Sequence, residues 1–375
     1  MPGKKFDYKK ADSQGTDVEP IDPAKFDIAG YQDYEASLLE SNRAFWASDS
    51  GIAVYRRFRP PQVFSYGCKD MEFSLALQLG ALTESMKFKA DIPNFLEPWY
   101  GFAAVASAFG VDYEWPPGQA PAIKPPFQTL QQALDYDVTP VEQTPIGKHS
   151  LEMIEHFLDK TEGKIPLCLA DAACGIDTAS LLIDINNFFM SFCDDPDGLK
   201  QLFGTIVDLL VDFVKKQTEL IGDALVMPGH GFASSRSFTG LGMSGDVIMM
   251  LSPEHYGELE APFMAKAGEP FGGAGFHSCG DWSTKIDAVK KIQNLVVVDG
   301  AFSPETDPDP NPPEPFADAF AGTKIAVNAR FVGDVDVVVD KVKQLWKSGM
   351  KLIVVTYCKT PAEQKEVYEK IHTMA

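Results

Sequence analysis

Three stretches near the C-terminus decide the fold: Leu295–Ala301 (LVVVDGA), Lys324–Phe331 (KIAVNARF) and Lys351–Tyr357 (KLIVVTY). Each is a nearly continuous β-branched run, as expected of parallel strands covered on both faces. Five earlier runs have strand character, most of them ended by Gly, Pro or a polar turn. They are Ile52–Phe58, Phe88–Phe95, Ile165–Ala172, Asp223–Gly229 and Gly273–Cys279. Helical patterns lie between them. The clearest covers Asp197–Ile221, where Leu199, Leu202, Phe203, Ile206, Leu209, Leu210, Phe213 and Val214 recur at three- and four-residue spacing. Asp194, Asp195 and Pro196 start it and Gly222 stops it. Further helices are predicted over Met71–Met86, Tyr100–Phe109, Ser150–Lys160, Thr178–Phe189, Pro253–Ala267, Trp282–Ile292, Val335–Lys347 and Pro361–Met374.

Eight strands alternating with helices predict an α/β fold, a single (β/α)8 TIM barrel spanning residues 26–375. Residues 1–25 are polar and punctuated by Gly and Pro, and read as a flexible leader. The proline-rich stretches Trp115–Pro126 and Pro304–Pro315 read as loops decorating the barrel rather than as helix or inner strand.

The chain has 375 residues, 45% of them hydrophobic, enough for a large core. Its formal charge of −20 repels nucleic acid and anionic membranes, so neither is an expected partner. No stretch approaches the roughly 18 uncharged apolar residues needed to span a bilayer. The N-terminus lacks the apolar segment of a secretory signal, so the expected location is the cytoplasm. In that reducing setting the six scattered cysteines are buried hydrophobes, metal ligands or nucleophiles. Cys168 (within a strand) and Cys193 (near a helix end) read as core. Cys174 is the rival thiol at the rim.

The segment Gly275-Phe276-His277-Ser278-Cys279-Gly280-Asp281 carries the chemistry. His277 and Cys279, two apart on a strand, point to one face at the C-terminal end, where (β/α)8 enzymes place their sites. Imidazole plus thiolate is a good zinc pair, and Cys358, just after the last run, is the expected third ligand. Three protein ligands leave one tetrahedral position open for a substrate. The bland alternative, a satisfied core histidine and buried small thiols, stays open on these residues alone.

The stretch FHSCGDWSTKID, with Cys358 in YCKTPAEQKEVYEKI, resembles the uroporphyrinogen decarboxylase superfamily, and within it the zinc-dependent, corrinoid-linked methyltransferases. MSGDVIMMLSPEHYGELEAPF and MSFCDDPDGLKQLF carry the resemblance beyond the His-x-Cys motif, and Thr360-Pro361 is similar to the family's opening of the last helix. The resemblance implies zinc on His277, Cys279 and Cys358 and a methyl group moved between a small molecule and cobalt. This chain shows no Asp-x-His-x-x-Gly cobalamin motif, so the corrinoid would arrive on a separate protein. Two departures stand out. Thr356-Tyr357-Cys358-Lys359 replaces the Pro-Gly-Cys-Gly-type loop of the coenzyme M branch. Tyr55-Arg56-Arg57-Phe58-Arg59 is only a loose echo of the decarboxylases' arginine cluster.

The preferred reading is O-demethylation of a methoxylated aromatic compound; oligomeric state is left open. Glu97, Asp171 and His230 are the expected catalytic groups, and Asn328 and Arg330 the expected cofactor contacts, with Asp91 and Arg236 as further polar rim residues. Phe95, Trp99, Tyr100, Phe276, Trp282, Phe302 and Phe331 are aromatic residues of predicted rim segments, most of them expected in the core. Two alternatives remain: transfer from methyl-corrinoid to a thiol of the coenzyme M type, and a non-catalytic zinc barrel that binds a corrinoid partner.

Overall fold

The computed structural model describes residues 14–374. Six parallel strands form one sheet: β1 (Gly51–Arg56), β2 (Leu241–Ser244), β3 (Ala274–His277), β4 (Leu295–Ala301), β5 (Ala326–Phe331) and β6 (Lys351–Thr356). Their spatial order is β1-β6-β5-β4-β3-β2. The edges of this sheet are joined by backbone too irregular to be strand. Asp91 N donates to Val54 O, Cys168 N to Leu96 O, Val226 N to Leu167 O, and Ser244 N to Ala172 O. These bonds close the ring, giving the (β/α)8 barrel. The irregular segments are the runs that contain Pro93, Pro166 and Pro228. A proline removes a ladder donor, so only single bridges form there.

One strand was not expected. β2 lies between Pro228 and β3, with Gly242 N donating to Pro228 O and Leu241 N to Gly273 O. No helix separates it from the fourth run, so it extends that βα unit. Its sequence, LGMS, is too poor in β-branched and aromatic residues to read as a strand.

The helices are α1 (Ile28–Ala47), α2 (Met71–Ser85), α3 (Leu130–Leu134), α4 (Pro145–Lys160), α5 (Gly175–Leu182), α6 (Ile185–Asp194) and α7 (Pro196–Ile221). They continue with α8 (Pro253–Leu259), α9 (Ala261–Gly268), α10 (Ile286–Val289), α11 (Pro313–Phe320), α12 (Val335–Leu345) and α13 (Pro361–His372). α1 was missed because it buries only Tyr31, Glu35 and Asn42, which makes no apolar stripe. The expected Thr178–Phe189 helix is two helices, because Asp184 caps α6 by accepting from the Asn186 and Asn187 N–H groups. The expected Pro253–Ala267 helix likewise divides at Glu260. Of Tyr100–Phe109, only a 3-10 turn at Ala106–Phe109 is helical. α11 begins inside the stretch expected to be loop, with Pro313 at its first position, where the missing N–H costs nothing.

Residues 1–13 of the expected leader lie outside the described residues. The rest of it is docked: Thr16 N donates to Arg59 O, Ile21 N to Ala76 O, and Gln14 Nε2 to Thr306 O. Among the described residues, no helix is long and apolar enough to cross a membrane.

The strands sort their side chains by the two-residue period. Tyr55, Val297, Ala326, Ile353, Val355 and Tyr357 belong to the cluster inside the barrel. Val54, Val298, Val327, Ala329, Leu352, Val354 and Cys358 pack outward against the helices.

Candidate active site

The C-terminal ends of the strands surround a cavity of about 500 Å3. His277 and Cys279 line it, together with Arg57, Asp171, His230 and Arg330. The third group beside the His/Cys pair is Asp246, in the turn after β2. His277 Nε2 lies 3.7 Å from Cys279 Sγ and 3.9 Å from Asp246 Oδ1. The three donor atoms all fall within 4.8 Å of one another. The edges of a zinc tetrahedron with ordinary Zn–N and Zn–S bonds are about 3.5 Å, so this set fits zinc with modest closure.

Each donor is held from behind. Asp299, fully buried on β4, accepts from His277 Nδ1 at 2.6 Å and thereby turns Nε2 toward the cavity. Burial alone would discourage charge on His277, but the Asp299 carboxylate and Cys279 beside it pull its pKa well above the usual value. Burial would likewise raise the Asp299 carboxyl, yet Arg330 and His277 hold it low. Asp177 accepts from the Asp246 and Val247 N–H groups at 2.9 Å, which fixes the turn. Asp246 Oδ1 also accepts from Cys279 N at 2.7 Å.

Cys358 does not join this group. The inward residue at the end of β6 is Tyr357, so Cys358 faces the opposite way and is buried among helix-side apolar residues. Its carbonyl accepts from Arg56 Nε at 2.8 Å, and burial pushes its thiol up to about 11. Thr360, the N-cap of α13, follows two residues later, so no loop swings the thiol back to the mouth. Of the expected His277/Cys279/Cys358 set, the structure brings His277 and Cys279 together, with Asp246 rather than Cys358 as their neighbour.

A second polar cluster reaches the same cavity through Asp171 and His230. Glu97 Oε2 accepts from His230 Nδ1 at 2.7 Å, and Glu97 also pairs with Arg57 at 3.3 Å. Burial alone would raise the Glu97 carboxyl, but Arg57 and then His230 bring it down to about 2. Glu97 is thus an ionised holder, itself outside the cavity lining, and His230 is the group it presents. His230 Nε2 lies 3.8 Å from Asp171 Oδ2, which accepts from Trp99 Nε1 at 3.1 Å. Asn328, expected to touch a cofactor, is fully buried and spent internally. It donates to Asp299 and accepts from Ala233 N. Arg330 does line the cavity. Arg236 pairs with Glu35 and reaches Lys164 O, at the entry end of the strands, far from the mouth. Asp91 is engaged by Val54 N, Tyr368 and His372.

Asp246 and Asp299 were missed by sequence reading. Asp246 follows the unrecognised strand. Asp299 carried a usable signal: a carboxylate inside LVVVDGA must be paired if the run is buried. Of the aromatic residues expected at the rim, Phe276, Trp282, Phe302 and Phe331 pack outward in the core; Phe102 and Phe232 line the cavity instead.

The site is thus a barrel mouth lined by a His/Cys/Asp trio and by a carboxylate-held histidine. Residues 98–309, more than half of the chain, match the Uroporphyrinogen decarboxylase (URO-D) family, and the chain belongs to that family. A solved structure described as a methyltransferase from Methanosarcina mazei superposes with a TM-score of 0.53 over 81% of this chain and 85% of that one. At 14% identity, that likeness is one of fold. No curated protein matches the sequence.

Proposed function

We infer that this chain is a zinc-dependent methyltransferase that takes a methyl group from a methylated small molecule, preferably a methoxylated aromatic compound, and passes it to the cobalt of a separate corrinoid protein. The observation that carries this reading is the convergence of His277 Nε2, Cys279 Sγ and Asp246 Oδ1 at the wall of an open cavity, with Asp299 behind the imidazole. Such a mixed nitrogen, sulfur and oxygen donor set with a positioned histidine suits a catalytic zinc site with one place left for substrate. Bound there, zinc supplies Lewis acidity toward the ether oxygen.

The chain's own residues do the rest. Asp299 keeps Nε2 of His277 facing the cavity, and Asp177 keeps the Asp246 turn in place. His230, held through Nδ1 by Glu97, presents Nε2 to the cavity, where it delivers a proton to the oxygen from which methyl departs. The about 500 Å3 volume suits a molecule of one ring and its substituents.

The test is zinc-loaded protein incubated with cob(I)alamin and methoxylated phenols, following the corrinoid spectrum. Methylcobalamin should form at a rate proportional to protein. Methyl transfer only from methylcobalamin to coenzyme M would reverse the direction. Absence of stoichiometric zinc after reconstitution would remove the reading altogether.

A further inference from the structure

His277, Asp299 and Asn328 are register partners on β3, β4 and β5, so they form one rung across three strands. The rung faces the barrel interior, as do Val297 and Ala326 two residues earlier on β4 and β5. Asp299 and Asn328 are fully buried. The bonds along the rung leave Asn328 one orientation. Asp299 accepts from His277 Nδ1 on one oxygen and from Asn328 Nδ2 on the other, while Asn328 Oδ1 accepts from Ala233 N at 3.0 Å. A carboxylate only accepts and a backbone N–H only donates, so an amide is the side chain that satisfies both at once.

Ala233 lies outside the six-stranded sheet, in the turn that carries His230. His230 stands between Gly229 and Gly231, at φ 119° and 83°, and beyond their chain neighbours no atom lies within 4 Å of where a Cβ would be. The turn therefore has little packing of its own at His230. Its internal ties meet beside Ala233: Ser234 Oγ accepts from Gly229 N at 3.0 Å, and Phe232 N donates to Gly229 O at 3.2 Å. Glu97 holds the imidazole of His230, and Asn328 holds the backbone of its turn.

We propose that Asn328 is a positioning residue that couples His277 to the turn carrying His230, so that a metal held by His277 orders the proton donor. The trio's printed separations, 3.7 and 3.9 Å, exceed the about 3.5 Å edge of a zinc tetrahedron, so metal binding draws His277 inward. Asp299 follows the imidazole it accepts from, and Asn328 passes the shift to Ala233, because every link is buried and hydrogen-bonded at both ends. An empty site leaves the His230 turn loose, and a loaded one sets it for turnover. The inference rests on the reading of the trio as a zinc site and of His230 as the proton donor.

Hydrogen–deuterium exchange of residues 229–235, with and without saturating zinc, tests it in the wild type and in Asn328→Leu and Asn328→Ser, zinc content being checked by elemental analysis. Zinc should slow exchange of this segment about 10-fold in the wild type. In both variants the segment should exchange about 10-fold faster than in the wild type and no longer respond to bound zinc. A merely structural Asn328 would speed exchange alike with and without zinc, leaving the response intact, and that result overturns the proposal. So does a wild-type segment that ignores bound zinc, an arm that needs no variant to fold. Wild-type protein that takes up no zinc refutes the proposed function instead, and the coupling is then read without metal. There His277→Gln should loosen 229–235 in the wild-type background and change nothing further in Asn328→Ser. Equal loosening in the two backgrounds overturns the coupling.

Discussion

Replacing Glu97 by Gln separates a buried charge from its partners without changing the shape of the side chain. The carboxyl sits at about 2 in the folded chain against an ordinary 4.5, a gap worth about 3 kcal/mol of stability at neutral pH. The group is buried, so solvent screening does not discount this, and removing one partner of a buried pair independently predicts about 3–5 kcal/mol. The sign follows from the depressed pKa: the contribution is fully present above the unfolded value of 4.5 and is lost as pH falls toward about 2. An unfolding entropy of about 2.1 cal/mol/K per residue gives a 375-residue chain about 0.8 kcal/mol/K, so Glu97→Gln should lower Tm by about 4 °C near neutrality. Differential scanning calorimetry of both proteins from pH 7 down to pH 3 is the assay. The difference between them should shrink to less than half by pH 3. A difference that is absent at pH 7, or constant across the range, refutes the claim that Glu97 is an ionised partner of Arg57 and His230.

Cys279→Ser and Asp246→Asn should each lower bound zinc at least 10-fold in a competition with a chelator, while Cys358→Ser should bind zinc as wild type does; zinc loss in Cys358→Ser contradicts the outward placement of that thiol. His230→Gln should cut methyl transfer about 100-fold with little change in KM or zinc content, as expected when a positioned proton donor is lost; a purely structural His230 would instead show lowered Tm with turnover preserved. Glu260, fully buried beside Cys174, has its carboxyl pushed up to about 8, first by burial. The folded chain keeps this proton while the unfolded chain has lost it, so stability falls as pH rises from 4.5 to about 8. Glu260→Gln should therefore melt several degrees above wild type at pH 8.5 and close to it at pH 5; the opposite order refutes the assignment.

β4 and β6 are readable because their runs, LVVVDGA and KLIVVT, are rich in β-branched residues, and β4 appears with the expected bounds, Leu295–Ala301. The half of the barrel before β3 was placed correctly around the ring, but three of its runs pair only through isolated bridges or single backbone bonds, since prolines and acids interrupt the ladder. At the site, His277 and Cys279 could be read from one strand end, because a two-residue spacing settles their common face. Cys358 could not be read this way. A residue just past a strand end faces in or out according to where pairing stops, and a shift of one position reverses it. Asp246 depends on β2, whose four residues take strand form from tertiary pairing rather than from propensity. Arg330 was named as a polar rim residue, but that its Nη2 is left unpaired follows only from the packing of Asp299, His277 and Asn328 around it.

The ring is stiff on one side and pliant on the other. His277, Asp299 and Arg330 ride on ladders of several paired residues, whereas Glu97, Asp171 and His230 ride on segments stitched by isolated bonds. Backbone amides on the first side should exchange with deuterium only in the rarest openings, and those on the second much sooner. The side that grips thus stays put, while the other side can yield to guests of different width. Selectivity for the gripped end and tolerance at the other would be the outcome.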